Sequence, residues 1–188
     1  SLPSAGYIIE NHRLLNALFN ALGQPSIAEA LTQQFEVGIV DLQQDDATVS
    51  ITLTTGETIQ SGLLIGADGS ASRTRDLLGI QSVAWRYDQT ALVCVSETAL
   101  PPQGIARQSF TPEGPLAFLP LYDGYASLVW YDSANKIASL KKLNNNKLTA
   151  SIQPVFPSQL ADFEILDRES FPLTRIHANQ YVSGKSVL

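Results

Sequence analysis

Apolar residues recur with two different periods along this chain, and the switches between those periods outline its elements. After a short apolar run at Tyr7-Ile8-Ile9, residues Leu14, Leu15, Leu18, Phe19 and Leu22 return three and four positions apart, which places them on one helical face. Asn11 can accept a backbone N–H bond and predicts the helix start. Gly23 and Pro25 predict its end, and the single apolar stripe predicts packing on a sheet. From 35 to 69 the period drops to two. Val37, Ile39 and Val40, then Val49, Ile51 and Leu53, then Thr58 and Ile59 behind a Thr55-Gly56 turn, predict a β-meander. Leu63-Leu64-Ile65 is continuously apolar, as expected of a strand covered on both faces, and 72–78 predicts a helix.

Composition shifts at 82–88, and strand patterns then dominate at 90–96, 105–111, 116–121 and 125–131, which predicts a second sheet. Residues 133–152 carry Leu140, Leu143 and Leu148 around Asn144-Asn145-Asn146-Lys147, predicting two short helices joined by a solvated turn. Strand character returns at 163–171 and 175–181. No internal repeat or low-complexity tract interrupts this order.

With 188 residues, 44% hydrophobic and 16% charged, the chain has the composition of a folded globular protein able to bury a core. A net charge of -6 repels phosphate backbones and argues against nucleic acid as a partner. Uncharged stretches such as 114–122 fall short of the ~20 apolar residues that span a bilayer, and no cationic-then-apolar leader opens the chain. A lone Cys94 cannot form an internal disulfide, and no Asn-x-Ser/Thr site occurs, so cytoplasm is the expected compartment. The absence of methionine, and an end at Ser186-Val187-Leu188 inside a strand-like run, predict a piece of a longer protein.

Several familiar signals fail. Gly184-Lys185-Ser186 ends like a phosphate-binding loop, but the required first glycine is Asn179. His12 and His177 lack cysteine partners, so no metal site is expected. There is no Gly-x-Ser-x-Gly elbow and no Gly-x-Gly-x-x-Gly, and Cys94, between two valines with no adjacent base, reads as a small core residue. No catalytic residue is identified.

The informative segment is Leu63-Leu64-Ile65-Gly66-Ala67-Asp68-Gly69-Ser70-Ala71-Ser72-Arg73-Thr74-Arg75: an apolar strand, a glycine turn and a helix start. Taken alone, Asp68-Gly69 is a turn and Ser72 a helix cap. The same geometry also lets backbone approach a ligand closely, offers N–H groups at a helix start, and gives Arg75 as a fork of donors for anionic oxygens. Asp68 then either fixes the turn or holds a sugar hydroxyl or an arginine.

The spacing Asp-Gly-x-x-Ser-x-x-Arg behind an apolar strand resembles the fingerprint of FAD-dependent aromatic hydroxylases, the class A flavoprotein monooxygenases. Gly6-Tyr7-Ile8-Ile9-Glu10-Asn11-His12-Arg13-Leu14, the run 110–121 (Phe110 to Leu121), Leu128-Val129-Trp130, and Phe171-Pro172-Leu173 with Ala178 and Tyr181 resemble the ubiquinone-biosynthesis branch across nearly the whole chain. Ala71 departs from the asparagine common there.

The resemblance implies a mixed α/β (α+β) fold like that of p-hydroxybenzoate hydroxylase, a Rossmann-like FAD domain interleaved with a mixed β-sheet substrate domain. Residues 1–83 would be the middle of the FAD domain, 84–182 the substrate-side sheet and helices, and 183–188 the start of the strand returning to the FAD domain. Both flanking FAD motifs would lie outside these residues, so the fragment alone is expected to bind FAD weakly or not at all and to be inactive. The implied cofactors are FAD and NAD(P)H, with dioxygen and a small aromatic, prenylated phenol or quinol as substrates. Asn11, Asp68, Gly69, Ser72 and Arg75 would contact the cofactors. Gln108, Phe110, Phe118, Pro120 and Trp130 would wall the substrate, although half of any such set should point away because side chains alternate across a sheet. Two alternatives stay open: a related hydroxylase of a small soluble aromatic acid, with Arg86 or Arg107 holding the carboxylate, and a non-catalytic binding module. Association with a membrane surface or a biosynthetic complex also stays open.

Overall fold

A computed structural model describes residues 6–99, 104–156 and 162–188. Contacts sort these into two units, one from residues within 1–27 and 86–173, the other from residues within 28–85 and 174–188. In chain order the first elements are helix α1 (Asn11–Leu22), the short helix α2 (Pro25–Ala28), strands β1 (Ile39–Gln44), β2 (Val49–Leu53), β3 (Thr58–Ser61) and β4 (Leu64–Ile65), and helix α3 (Arg73–Leu77). Next come β5 (Ser82–Thr98), β6 (Arg107–Phe110), β7 (Pro115–Pro120), β8 (Tyr125–Ser133), α4 (Ala134–Lys141), α5 (Asn145–Ile152), β9 (Phe163–Ala178), β10 (Val182–Ser183) and β11 (Ser186–Val187).

The predicted meander is present as the antiparallel sheet β1-β2-β3. The predicted second sheet is five-stranded, in the order β6-β7-β8-β5-β9. Its strands alternate: on β8, Ala126, Leu128, Trp130 and Asp132 are buried, while Ser127, Val129 and Tyr131 are half-buried. Leu92 and Cys94 of β5 and Leu116 and Phe118 of β7 share the buried face, where Ile137 and Leu140 of α4 and Leu148 and Ile152 of α5 cover them. Burial pushes the Cys94 thiol up to about 12, with Arg168 pulling it down and Asp167 adding to the rise, so this cysteine is inert core.

Several expectations need correction. Helix α1 was expected to pack on a sheet, yet none of its residues is buried, and Leu14, Leu15, Leu18 and Phe19 are 44–52% exposed. Glu10, not Asn11, occupies its N-cap, so Asn11 is already helical. The run Leu63-Leu64-Ile65 yields a strand of only two residues, and Leu63 and Ile65 face outward rather than being covered. Strand β5 begins at Ser82 rather than 90, because its first half is held by neighbours rather than by burial: the Arg175 guanidinium lies 4.7 Å over the Trp85 ring. The two strands expected at 163–181 are one. Pro172 interrupts the pattern but is tolerated on β9, which is an edge strand of its sheet.

The asparagine patch is also more than a solvated turn. The Asn144 side chain caps α5 by accepting from the Lys147 N–H at 2.9 Å. Arg168 of β9 donates to the carbonyls of Lys141 and Leu143 and to the Asn145 side chain, tying the α4–α5 turn to the sheet.

Candidate functional site

The corner after β4 is built from close approach. Strand β4 pairs in parallel with β11, and the Gly66 N–H donates to the Val187 carbonyl at 2.7 Å. A Cβ on Gly66 would stand 2.8 Å from Thr74 Cγ2 and 3.0 Å from Leu188 Cδ2, so only glycine lets α3 fold back on β4 here. Three residues on, Gly69 turns the chain at φ +81, in the left-handed region, and nothing lies within 4 Å of where its Cβ would be.

Asp68 is the hub of the turn. Its carboxylate accepts from the Ser72 hydroxyl at 2.5 Å, from the Thr74 N–H at 2.9 Å and from the Thr74 hydroxyl at 3.0 Å. Partial burial alone would raise its pKa, but these bonds and its own N–H outweigh burial and bring it from 3.8 to about 2. The Ser72 hydroxyl in turn accepts from the Arg75 N–H at 3.0 Å, which caps α3. The Thr74 and Arg75 N–H groups at this helix start are therefore occupied by Asp68 and Ser72. Helix α3, at five residues, offers little beyond them.

Arg75 is also turned inward. Its guanidinium donates to the Ser70 carbonyl at 2.9 Å and to Asp76 at 3.4 Å, and its side chain is 14% exposed. It therefore braces the turn from within, whereas an outward fork was expected. The structure thus brings Asp68, Gly69, Ser72 and Arg75 together, while Asn11 sits on α1 in the other unit. Sequence reading missed Thr74, which is buried and donates twice to Asp68. A Ser-x-Thr pair four and six residues after an aspartate was the available signal.

The five residues expected to wall the substrate divide by face. Gln108 and Phe110 lie opposite Ala117 and Pro115, on the face with Val129 and Val93, and Phe110 is 80% exposed. Phe118 and Trp130 point the other way, into the core beneath α4 and α5, and Pro120 shares that side with Ala126. Alternation across the pleat makes Phe118 and Trp130 packing residues, while Pro120 is half-buried. Arg107, paired opposite Phe118, is on the helix-covered side as well. Arg86 lines a cleft of about 410 Å³ with Tyr87, Asp88, Asn135 and Pro172.

A family model described as FAD binding domain matches residues 11–188. The chain is 41% identical over 182 residues to the 3-demethoxyubiquinol 3-hydroxylase of Escherichia coli (strain K12), a match covering 96% of this chain and 46% of the relative. It is 34% identical over 179 residues to the mitochondrial ubiquinone biosynthesis monooxygenase COQ6 of Mus musculus, covering 90% of this chain and 37% of that protein. It thus spans less than half the length of these curated relatives. Among solved structures, the flavin-dependent halogenase CmlS matches with a TM-score of 0.68 at 15% identity, over 95% of this chain and 34% of that one. The flavin-dependent monooxygenase PieE, solved with FAD and substrate, matches at 0.65 with 22% identity, over 95% and 33%. These identities show the shared mixed α/β fold, and with the family match running from the first residue of α1 to Leu188, the chain belongs to the FAD binding domain family.

Proposed function

We propose that this chain is the central part of an FAD-dependent aromatic-ring hydroxylase acting on a prenylated phenol or quinol in ubiquinone biosynthesis, with NAD(P)H and dioxygen as co-substrates. The observation that carries this reading is the 41% identity with the Escherichia coli hydroxylase across 96% of the chain. FAD, reduced by NAD(P)H, supplies the redox chemistry that activates dioxygen; the protein supplies orientation and exclusion of water.

The corner at Asp68 fits one side of such a dinucleotide. Gly69 presents bare backbone with open space beside it, and the Asp68 carboxylate is saturated with donors, which weakens its repulsion of phosphate. In this reading Gly69 and its exposed neighbours touch the cofactor, Asp68, Ser72 and Arg75 hold the turn that carries them, and Asn11 contacts the flavin from the start of α1. Residues 1–83 and 183–188 are then assigned to the FAD domain and 84–182 to the substrate domain, an assignment by sequence resemblance that differs from the contact units, where residues within 1–27 group with those of 86–173. The parallel pairing of β11 with β4 supports this return of the chain to the strand bearing the corner.

Gln108 and Phe110 line the substrate face. The paired positions of β5, β6, β7 and β8 on that face carry no Lys, Arg or His, which favours a neutral ring over one bearing a carboxylate. No helix among the described residues is long and apolar enough to cross a membrane. We place the enzyme in the cytoplasm, meeting its prenylated substrate at a membrane surface. In the full-length protein loaded with FAD, a prenylated phenol should accelerate NAD(P)H oxidation and gain one oxygen by mass, and its 4-carboxy counterpart should do neither. Turnover of the carboxylated ring alone would refute the assignment.

A further inference from the structure

The pairing of β4 with β11 involves two residues on each strand, too few to fix register by themselves. Something else must hold β11, and the contacts lead to the end of β1. There the Gln44 side-chain oxygen accepts from the Lys185 N–H at 3.1 Å and from the Ser186 hydroxyl at 3.1 Å. Between β10 and β11, Gly184 turns at φ +56, and a Cβ there would stand 2.9 Å from the Gln44 amide, so the amide lies flat against the hairpin. Ser186 is 1% exposed, and without Gln44 its hydroxyl would lose this bond in a place water does not reach.

From β11 the contacts continue without a gap. The Lys185 carbonyl accepts from the Leu64 N–H at 2.9 Å and the Val187 carbonyl from the Gly66 N–H at 2.7 Å. Gly66 is wedged between Thr74 and Leu188, and Thr74 donates both its N–H and its hydroxyl to Asp68. All of these residues lie in one unit.

We propose that Gln44 is a positioning residue for the cofactor corner: by fixing β11 against β4 it sets where Gly66, Thr74 and hence the Asp68–Gly69 turn stand. The cofactor half of this inference rests on the FAD reading above; the coupling half does not. The test uses Gln44→Leu, which removes the acceptor, and Gln44→Glu, which keeps a side-chain oxygen at the same reach. Amide hydrogen exchange is followed in both variants, and FAD affinity is measured in the full-length protein by flavin fluorescence quenching.

Gln44→Leu should speed exchange at the Thr74 and Gly66 amides roughly tenfold while leaving Ile51 in β2 unchanged, and Gln44→Glu should restore protection. FAD affinity should follow the same order, with a roughly tenfold loss in Gln44→Leu that Gln44→Glu recovers. Uniform acceleration at Ile51 and Thr74 alike, or no change at Thr74, would overturn the coupling. A moved Thr74 amide with unaltered FAD affinity would overturn the positioning role. Wild-type protein that takes up no FAD would sink the functional reading instead, while the exchange result would still decide the coupling.

Discussion

Asp68 shows how one carboxylate can be committed to structure. It accepts from Ser72 and twice from Thr74, so its charge stabilises the turn. Because the folded pKa, about 2, lies below the ordinary 3.8, the folded state favours the ionised form. The stability this contributes is present above about pH 4 and is lost as pH falls towards 2. Replacing Asp68 with Asn should therefore lower the unfolding free energy at neutral pH, by about 1 kcal/mol once discounted for the solvent around this exposed side chain. Urea denaturation at a series of pH values checks this: the wild-type and Asp68→Asn curves should differ at pH 7 and converge near pH 2. Asp45 and Glu169 also have lowered pKa values, from backbone bonds to Thr48 and Ala47 and from the Lys141 contact, but they titrate in both proteins and cancel in the difference. A constant gap across the range would show that Asp68 acts through shape alone.

At the scale of elements, the strand–turn–helix at 64–77 depends on two glycines for different reasons, and the difference is measurable. Gly66 is needed because α3 and Leu188 crowd it, so Gly66→Ala should cost about 2 kcal/mol or more through overpacking. Gly69 is needed for its left-handed φ in open space, and Gly69→Ala should cost only about 1 kcal/mol. In the FAD-loaded full-length protein the order should reverse: Gly69→Ala should weaken FAD more than Gly66→Ala does, because its methyl group would stand on the face offered to the cofactor. Thermal unfolding and FAD titration of both variants check this, and equal ranking in the two assays would count against Gly69 as the contact edge. Much of this element was legible in the sequence, since an apolar run, an Asp-Gly pair and a Ser cap specify strand, turn and helix locally. What was not legible was the direction of Arg75, which depends on the position of the Ser70 carbonyl rather than on spacing. Similarly, the alternation of 116–130 was plain, but which face the helices would cover depends on where α4 and α5 pack. That long-range fact makes Phe118 and Trp130 core and leaves Phe110 exposed. The early start of β5 and the unbroken β9 were not legible because pairing, not burial, sustains these exposed stretches.

For the whole molecule, the distribution of satisfied donors decides what these 188 residues can do unaided. A pyrophosphate needs several free N–H groups or cations held close together. At the Asp68 corner the Thr74 and Arg75 N–H groups and two arms of the Arg75 guanidinium are already bonded within the protein. The sequence contains no Gly-x-Gly-x-x-Gly that would supply a second set. Its net charge of -6 adds a long-range repulsion towards an anionic dinucleotide. If the proposed FAD reading holds, the corner would contribute shape to the cofactor site rather than most of its binding energy. Purified in excess FAD and then passed over a desalting column, the 188-residue chain should carry well under one equivalent of flavin, read from its visible absorbance, and lowering the salt concentration should not restore it. Stoichiometric flavin surviving that step would mean that donors inside these residues open outward on binding, and the inward-facing Arg75 would then be the first group to examine by Arg75→Ala.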